Sequence, residues 1–304
     1  MAVETGVLIL GSTGYIGKFV ALAAAAESGV KAYALVSKAT QAKPERAEVL
    51  QKLRSAGIQF LEGDINDHAS LVAALKRVTV VISCVGFSAH NDQPKILEAA
   101  KEAGTITRFL PSDFAFALSK ETIAAFGDVH PRFTLKEPTA EAANKSGIPY
   151  TFIWANLFGA YAEMALGRQM PMQNDEIDVY GTDKKIVAVD EGDIGRYTIK
   201  AALDPRAANK TVRLEPPRNA VTQSELIALC EKLRGKTYKK RDATAEMLVE
   251  EYKNSNEEVS FFACLRYAFW ISGDHTQPKR EGDLSTAELY PDLEYKSIEA
   301  ILRP

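Results

Sequence analysis

Cysteine is scarce. The 304 residues hold three, Cys84, Cys230 and Cys264, widely spaced and with no Cys-x-x-Cys pair. An odd, scattered set excludes a disulfide framework and a thiolate metal site, and it fits a reducing cytoplasm. The four histidines, His68, His90, His130 and His275, lie equally far apart, so no metal site is expected. An excess of one charge is lacking too. Lys plus Arg number 37 against 40 for Asp plus Glu, a net charge of -3, which is not the basic surplus of a nucleic-acid binder. No apolar run approaches the roughly 18 residues of a membrane span, so no membrane partner is expected. Residues 1–10 have no basic stretch ahead of their apolar one, so no secretory signal is expected either. Repeats, low-complexity tracts and Gly/Ser-rich linkers are missing as well.

What is present is a strand–helix alternation. Val7-Leu8-Ile9-Leu10 is a short continuous apolar run, as a strand buried on both faces requires. Five further β–α steps follow. Strands are expected at 31–36, 58–61, 78–84, 107–110 and 149–154, with helices at 15–26, 47–56, 68–77, 94–103 and 136–145. Connections this short imply a parallel, doubly wound sheet of Rossmann type, an α/β fold. After about residue 156 the pattern loosens. Pro216-Pro217 and the charged stretch 236–242 break it, although 222–233 reads as an amphipathic helix whose Thr222 and Glu225 have capping-box spacing. The division expected is a dinucleotide-binding domain over 1–155 and a smaller substrate-binding region over 156–304, with some segments returning to the sheet.

The strongest motif is Gly11-Ser12-Thr13-Gly14-Tyr15-Ile16-Gly17, directly after the first strand and opening a helix. The first glycine permits the tight turn, the second lets backbone approach a pyrophosphate, and the third brings helix against strand. The helix N-terminus offers free N–H groups to the phosphates. All seven residues are candidate cofactor contacts. An NAD site usually ends the second strand with a carboxylate for the ribose. Here that place holds Ser37 and Lys38, with Lys43 and Arg46 close behind. Positive charge without an acid points to a 2′-phosphate, hence NADPH/NADP. Asp64 either contacts adenine or caps the next helix. Val85, Gly86 and Phe87 follow the fourth strand, where chain passes over the cofactor.

The Tyr-x-x-x-Lys pair of many short-chain dehydrogenases is not expected to supply the acid. Tyr150, Tyr161 and Tyr180 are expected to lack such a lysine partner, and Tyr197 lies too late. The candidate in the right place is Lys136. A partly desolvated lysine near a helix N-terminus and a cationic site has a lowered pKa, and it then exchanges a proton near neutral pH.

The turn, Arg108-Phe109-Leu110-Pro111-Ser112-Asp113-Phe114, Phe133-Thr134-Leu135-Lys136 and Gly147-Ile148-Pro149-Tyr150-Thr151 together resemble the NmrA-like atypical short-chain reductases, above all their isoflavone reductase-like branch. The resemblance continues through Glu191-Gly192-Asp193-Ile194-Gly195-Arg196-Tyr197-Thr198, Asp204-Pro205-Arg206, Leu214-Glu215-Pro216-Pro217-Arg218-Asn219, Gly273-Asp274-His275-Thr276 and Glu288-Leu289-Tyr290-Pro291-Asp292. It implies an NADPH-dependent oxidoreductase of a small aromatic, phenylpropanoid-like substrate. Lys136 is then the catalytic lysine, also beside the cofactor, and Pro111, Ser112 and Asn156 join the cofactor-binding set. Members of this branch are dimers or monomers, so a homodimer is an open possibility. Two other readings stand beside it. An NmrA-like dinucleotide sensor would keep the turn and have no need of Lys136; a reductase of the same fold would take a carbonyl or quinone. Several positions depart from the branch: Asp113 and Ala115 stand for Glu and Gly, Ser37 for an arginine, Arg46 for a lysine and Ala140 for an arginine. The stretch 116–132 is dissimilar.

Overall fold

A computed structural model describes residues 5–127, 130–134, 137–167 and 174–303. Its centre is a parallel sheet. β1 (Thr5–Leu10), β2 (Val30–Val36), β3 (Gln59–Glu62), β4 (Val80–Ser83) and β5 (Arg108–Leu110) pair in the order β3-β2-β1-β4-β5. β6 (Thr151–Trp154) continues the series through a parallel bridge from Phe109 to Tyr150. The order reverses between β1 and β4, which opens a crevice at the C-terminal ends of the strands.

Successive residues of β1 feed opposite faces, as strand geometry demands. Val7 and Ile9 pack with α1 (Gly17–Ala26) and α3 (Ala47–Ser55). Leu8 and Leu10 pack with α4 (His68–Leu75) and α5 (Gln93–Ala103). All four are fully buried. Each such side chain contributes roughly 1.5–3 kcal/mol of transfer free energy, so the unbroken apolar run is what a sheet covered on both sides needs. Short α2 (Lys38–Gln41) follows β2. Later come α6 (Lys120–Phe126), α7 (Pro131–Thr134) and α8 (Glu137–Ser146), whose Ala143 joins the α4/α5 core.

The expected strands and helices are all found, with ends shifted by one or two residues. The first helix starts at Gly17 and not at Tyr15, because residues 11–16 form the turn. The second half is more regular than its sequence suggested. It contains β7 (Leu157–Phe158), β8 (Glu176–Val179), β9 (Lys185–Val189), β10 (Lys210–Arg213), β11 (Ala220–Thr222), β12 (Lys239–Asp242) and β13 (Leu284–Ser285). Its longer helices are α9 (Glu191–Leu203), α10 (Gln223–Arg234), α11 (Ala245–Asn254) and α12 (Glu257–Trp270). β10 pairs in parallel with β6, and β13 with β10, so the main sheet runs on into this half. α9 packs on α1 with Ile194 and Tyr197 in the shared core.

The charged stretch 236–242 does not break the structure. It supplies β12, an exposed edge strand parallel to β8, with Arg241 gripping Asp178 through two bonds of 2.8 and 2.9 Å. Charged side chains are the usual protection of such an edge. The capping box at Thr222 and Glu225 is formed as expected.

Candidate cofactor and substrate site

The glycine-rich turn lies at the crevice, against the end of β4. Gly11 has φ +75°, and a Cβ there would stand 2.5 Å from the Cys84 carbonyl oxygen. A Cβ on Gly17 would meet the Gly11 carbonyl oxygen at 2.1 Å. Neither position tolerates a side chain, so the close approach of turn, strand and helix depends on both. No side chain caps α1 and no acid sits in its first turn. The N-terminal N–H groups and dipole are thus left to an anion. The Ser12 hydroxyl is buried there without a hydrogen-bond partner. An uncapped helix end, a cradle closed to side chains and an orphaned hydroxyl fit a dinucleotide pyrophosphate.

Two turn residues send their side chains elsewhere. Ile16 is buried in the core. The Tyr15 hydroxyl donates to Glu191 at 2.6 Å, and its ring stacks on Phe158 at 5.8 Å and Tyr161 at 5.4 Å. Burial and the adjacent Glu191 carboxylate push the Tyr15 phenol well above its ordinary range. These two residues offer a ligand their backbone only.

The basic group after β2 divides. Arg46 donates from Nη1 to the Thr13 carbonyl at 2.7 Å and so lies against the turn. Lys38 pairs with Glu62 at 3.1 Å, both exposed. Glu62 ends β3 opposite Val36, a cross-strand neighbour that spacing along the chain does not reveal. Ser37 spends its hydroxyl as the N-cap of α2, accepting from the Thr40 N–H at 3.2 Å. Asp64 does not cap the next helix. Asp67 does so, accepting from the Ser70 N–H, while Asp64 accepts from the Asn66 N–H at 2.9 Å in a tight turn. Asp64 stands too far ahead of the helix to reach its free N–H groups.

Val85, Gly86 and Phe87 follow β4, and Pro111 and Ser112 follow β5. The Ser112 hydroxyl donates to the Val85 carbonyl at 2.9 Å, and its N–H donates to Gln93 Oε1 at 2.7 Å. Ser112 thus ties the two loops together, and Gln93, fully buried at the start of α5, fixes Ser112; the sequence reading does not single Gln93 out. Its signal is a glutamine on the apolar stripe it shares with Ile96, Leu97 and Ala100. Asn156 has φ +55°, a conformation asparagine tolerates, and its Nδ2 donates to the Leu214 carbonyl at 2.9 Å. It joins the ends of β6 and β10.

Lys136 lies outside the described residues. α7 and α8 flank it, and α8 packs on α5 and on the 3-10 turn Phe87–Asp92. On α7, Phe133 meets Phe116 edge-on at 6.3 Å and Phe261 at 5.4 Å, so aromatic rings gather at that helix. His275 stands behind Phe116 at 4.4 Å. Burial and nearby Arg213 push its imidazole down to about 3, and its Nδ1 accepts from the Val187 N–H at 3.1 Å. One Tyr-x-x-x-Lys spacing does occur, Tyr180 to Lys184, contrary to expectation. It belongs to the loop between β8 and β9, and Tyr180 is pushed up to about 12, chiefly by burial. That is no catalytic tyrosine pair, since no helix presents the two groups side by side. Among the described residues no group of three His, Cys, Asp or Glu is placed to hold a metal ion. Nor is any helix long and apolar enough to cross a membrane.

The sheet order and the uncapped turn agree with a family model that matches residues 4–302, that of the NmrA-like family. The chain belongs to the NmrA-like family. Phenylcoumaran benzylic ether reductase TP7 of Nicotiana tabacum is 38% identical to this NmrA-like chain over 307 aligned positions, covering 99% of each. Eugenol synthase 1 of Petunia hybrida is 37% identical, with the same coverage. Among solved structures, an isoflavone reductase superposes with TM-score 0.87 at 34% identity over 98% of both chains. AtPrR2 with NADP+ and (+)-pinoresinol does so with 0.86 at 30%, covering 99% of this chain and 98% of that one.

Proposed function

We propose that this NmrA-like protein is an NADPH-dependent reductase of a phenylpropanoid-like aromatic substrate. The observation that carries the reading is full-length similarity to reductases of such compounds, in a chain whose Gly11–Gly17 turn is built for a pyrophosphate and has Arg46 beside it. In this reading residues 1–155 hold the cofactor and 156–304 shape the pocket over it. Backbone N–H groups of residues 11–17 bind the pyrophosphate. Arg46, with Lys38 near Ser37, takes the 2′-phosphate. Val85, Gly86, Phe87, Pro111 and Ser112 border the nicotinamide end, fixed by Gln93, and Asn156 holds the adjoining strand ends. Bound there, NADPH would supply a hydride for an exocyclic benzylic carbon of the substrate. Lys136 takes the proton of the substrate's phenol, which drives out the benzylic leaving group and leaves the carbon electrophilic. The aromatic side chains around Phe116 and Phe133 stack on the substrate ring and exclude water. Three free, buried cysteines support a reducing cytoplasm as its place of action.

The test is NADPH oxidation, followed by nicotinamide absorbance and product analysis, against phenylcoumarans, furan lignans and isoflavones. Turnover of at least one class is expected, and tight NADPH binding without any turnover removes the reading. Lys136→Ala is expected to lower turnover by ~10²–10⁴-fold, the usual worth of a general acid–base group. Undiminished turnover in that variant takes Lys136 out of the mechanism.

A further inference from the structure

One cation at the lip of the crevice has no task in the reaction above. Arg132, on α7, stands four residues ahead of Lys136. Its guanidinium lies over the Phe261 ring at 4.8 Å and beside the Phe87 ring at 6.0 Å. Phe87 belongs to the loop after β4, on the cofactor side. Phe261 belongs to α12, in the C-terminal half. Arg132 therefore bridges the two lips. Its Nε edge pairs with Glu257 at 3.4 Å. Its two Nη groups have no hydrogen-bond partner among the described residues, and the side chain is 31% exposed. Phe87 is 54% exposed, and His90, stacked on it at 5.6 Å, backs the ring.

These observations fit together chemically. A guanidinium laid on an aromatic face keeps its N–H fork in its own plane, directed outward. Glu257 occupies one edge and offsets part of the charge. What the open edge selects is then a geometry: two parallel acceptors, as a carboxylate has. The exposed face of Phe87 beside it suits an aromatic or conjugated system that leads to that carboxylate. A side chain serving only as a surface cation would need neither the aromatic clamp across two halves of the chain nor an exposed phenylalanine next to it.

We infer that Arg132 determines substrate choice: the preferred substrate is a phenylpropanoid-like phenol that carries a carboxylate. The inference rests on the reductase reading for the reacting end of the substrate, and on Arg132 alone for the acidic end. Its test is calorimetric titration of the protein–NADP+ complex with a phenylcoumaran whose side chain ends in a carboxylate, and with the methyl ester of the same compound. The wild-type chain is expected to bind the acid at least ~10-fold more tightly than the ester, the scale of a hydrogen bond to a charged group. In Arg132→Gln the acid-to-ester ratio falls to near one; in Arg132→Lys, a point charge without the fork, it falls part of the way. The ratio is the readout, so a variant that loosens the whole site does not imitate the result. Equal affinities in the wild type, an unchanged ratio in Arg132→Gln, or binding of neither compound overturns the inference. NADPH oxidation with the same two compounds separates the two claims. An acid that is preferred in binding and never reduced sinks the reductase reading and leaves the selection by Arg132 standing. Reduction of acid and ester with equal affinities does the reverse.

Discussion

Lys38 and Arg46 bear the same charge a few residues apart, and their surroundings differ. Arg46 is anchored on the backbone of the glycine-rich turn, whereas Lys38 is balanced by Glu62 in an exposed pair of the kind that contributes at most ~1 kcal/mol. His275 shows burial acting on a single group. Its folded-state value of about 3 lies below the ordinary 6.5, so between the two the unfolded chain binds the extra proton. Stability is therefore full above about 6.5 and is lost as pH falls through that window, by up to ~1.4 kcal/mol per pH unit. Urea denaturation at neutral and mildly acidic pH checks this: His275→Gln is expected to show a shallower loss than the wild type. An equal slope in both assigns the acid sensitivity to other groups.

Among the elements, α10 carries the clearest local signal. Thr222 accepts from the Glu225 N–H at 3.2 Å, and Glu225 reaches back to the Thr222 N–H at 2.8 Å. Thr222→Ala removes one half of this exchange. It is expected to cost ~1 kcal/mol, seen as a lower denaturation midpoint with an unchanged slope. β12 is the opposite case. Its four residues, Lys239 to Asp242, have no apolar side chain, and what makes them a strand is the partner β8 and the grip of Arg241 on Asp178. Propensity is a weak guide where a cross-strand neighbour supplies the stabilisation.

At the scale of the molecule, the cofactor turn is tied to the C-terminal half. Tyr15 and Glu191 are 176 residues apart and hydrogen-bonded, and Glu191 also accepts from the Ala160 N–H at 3.1 Å. Phe158 and Tyr161 stack on the same tyrosine ring. The turn is thus held by residues of the C-terminal half. Tyr15→Phe keeps the rings and deprives a buried carboxylate of a donor. A loss of ~1–3 kcal/mol is expected in chemical denaturation, and no loss would mean that water replaces the phenol without penalty.

The first half of the fold was legible in the sequence because its signals are local. An apolar run of four, a glycine turn and helices closed by Gly57 and Gly104 each report on their own neighbourhood, and β–α alternation leaves few topologies. At the candidate site the same holds of the turn alone: Gly11 and Gly17 announce a bend that no side chain can enter. The tertiary structure decided which polar groups meet. Asp67 and not Asp64 caps α4, Gln93 holds Ser112, and Glu62 balances Lys38, because strands that pair side by side bring together residues the chain keeps far apart. Arg132 shows the same limit. Its place in the sequence marks only a loop ahead of Lys136, and its position between Phe87 and Phe261 exists because two distant segments close on the crevice. Periodicity and turn chemistry fix what a segment becomes; the burial of its faces against other segments fixes what it touches.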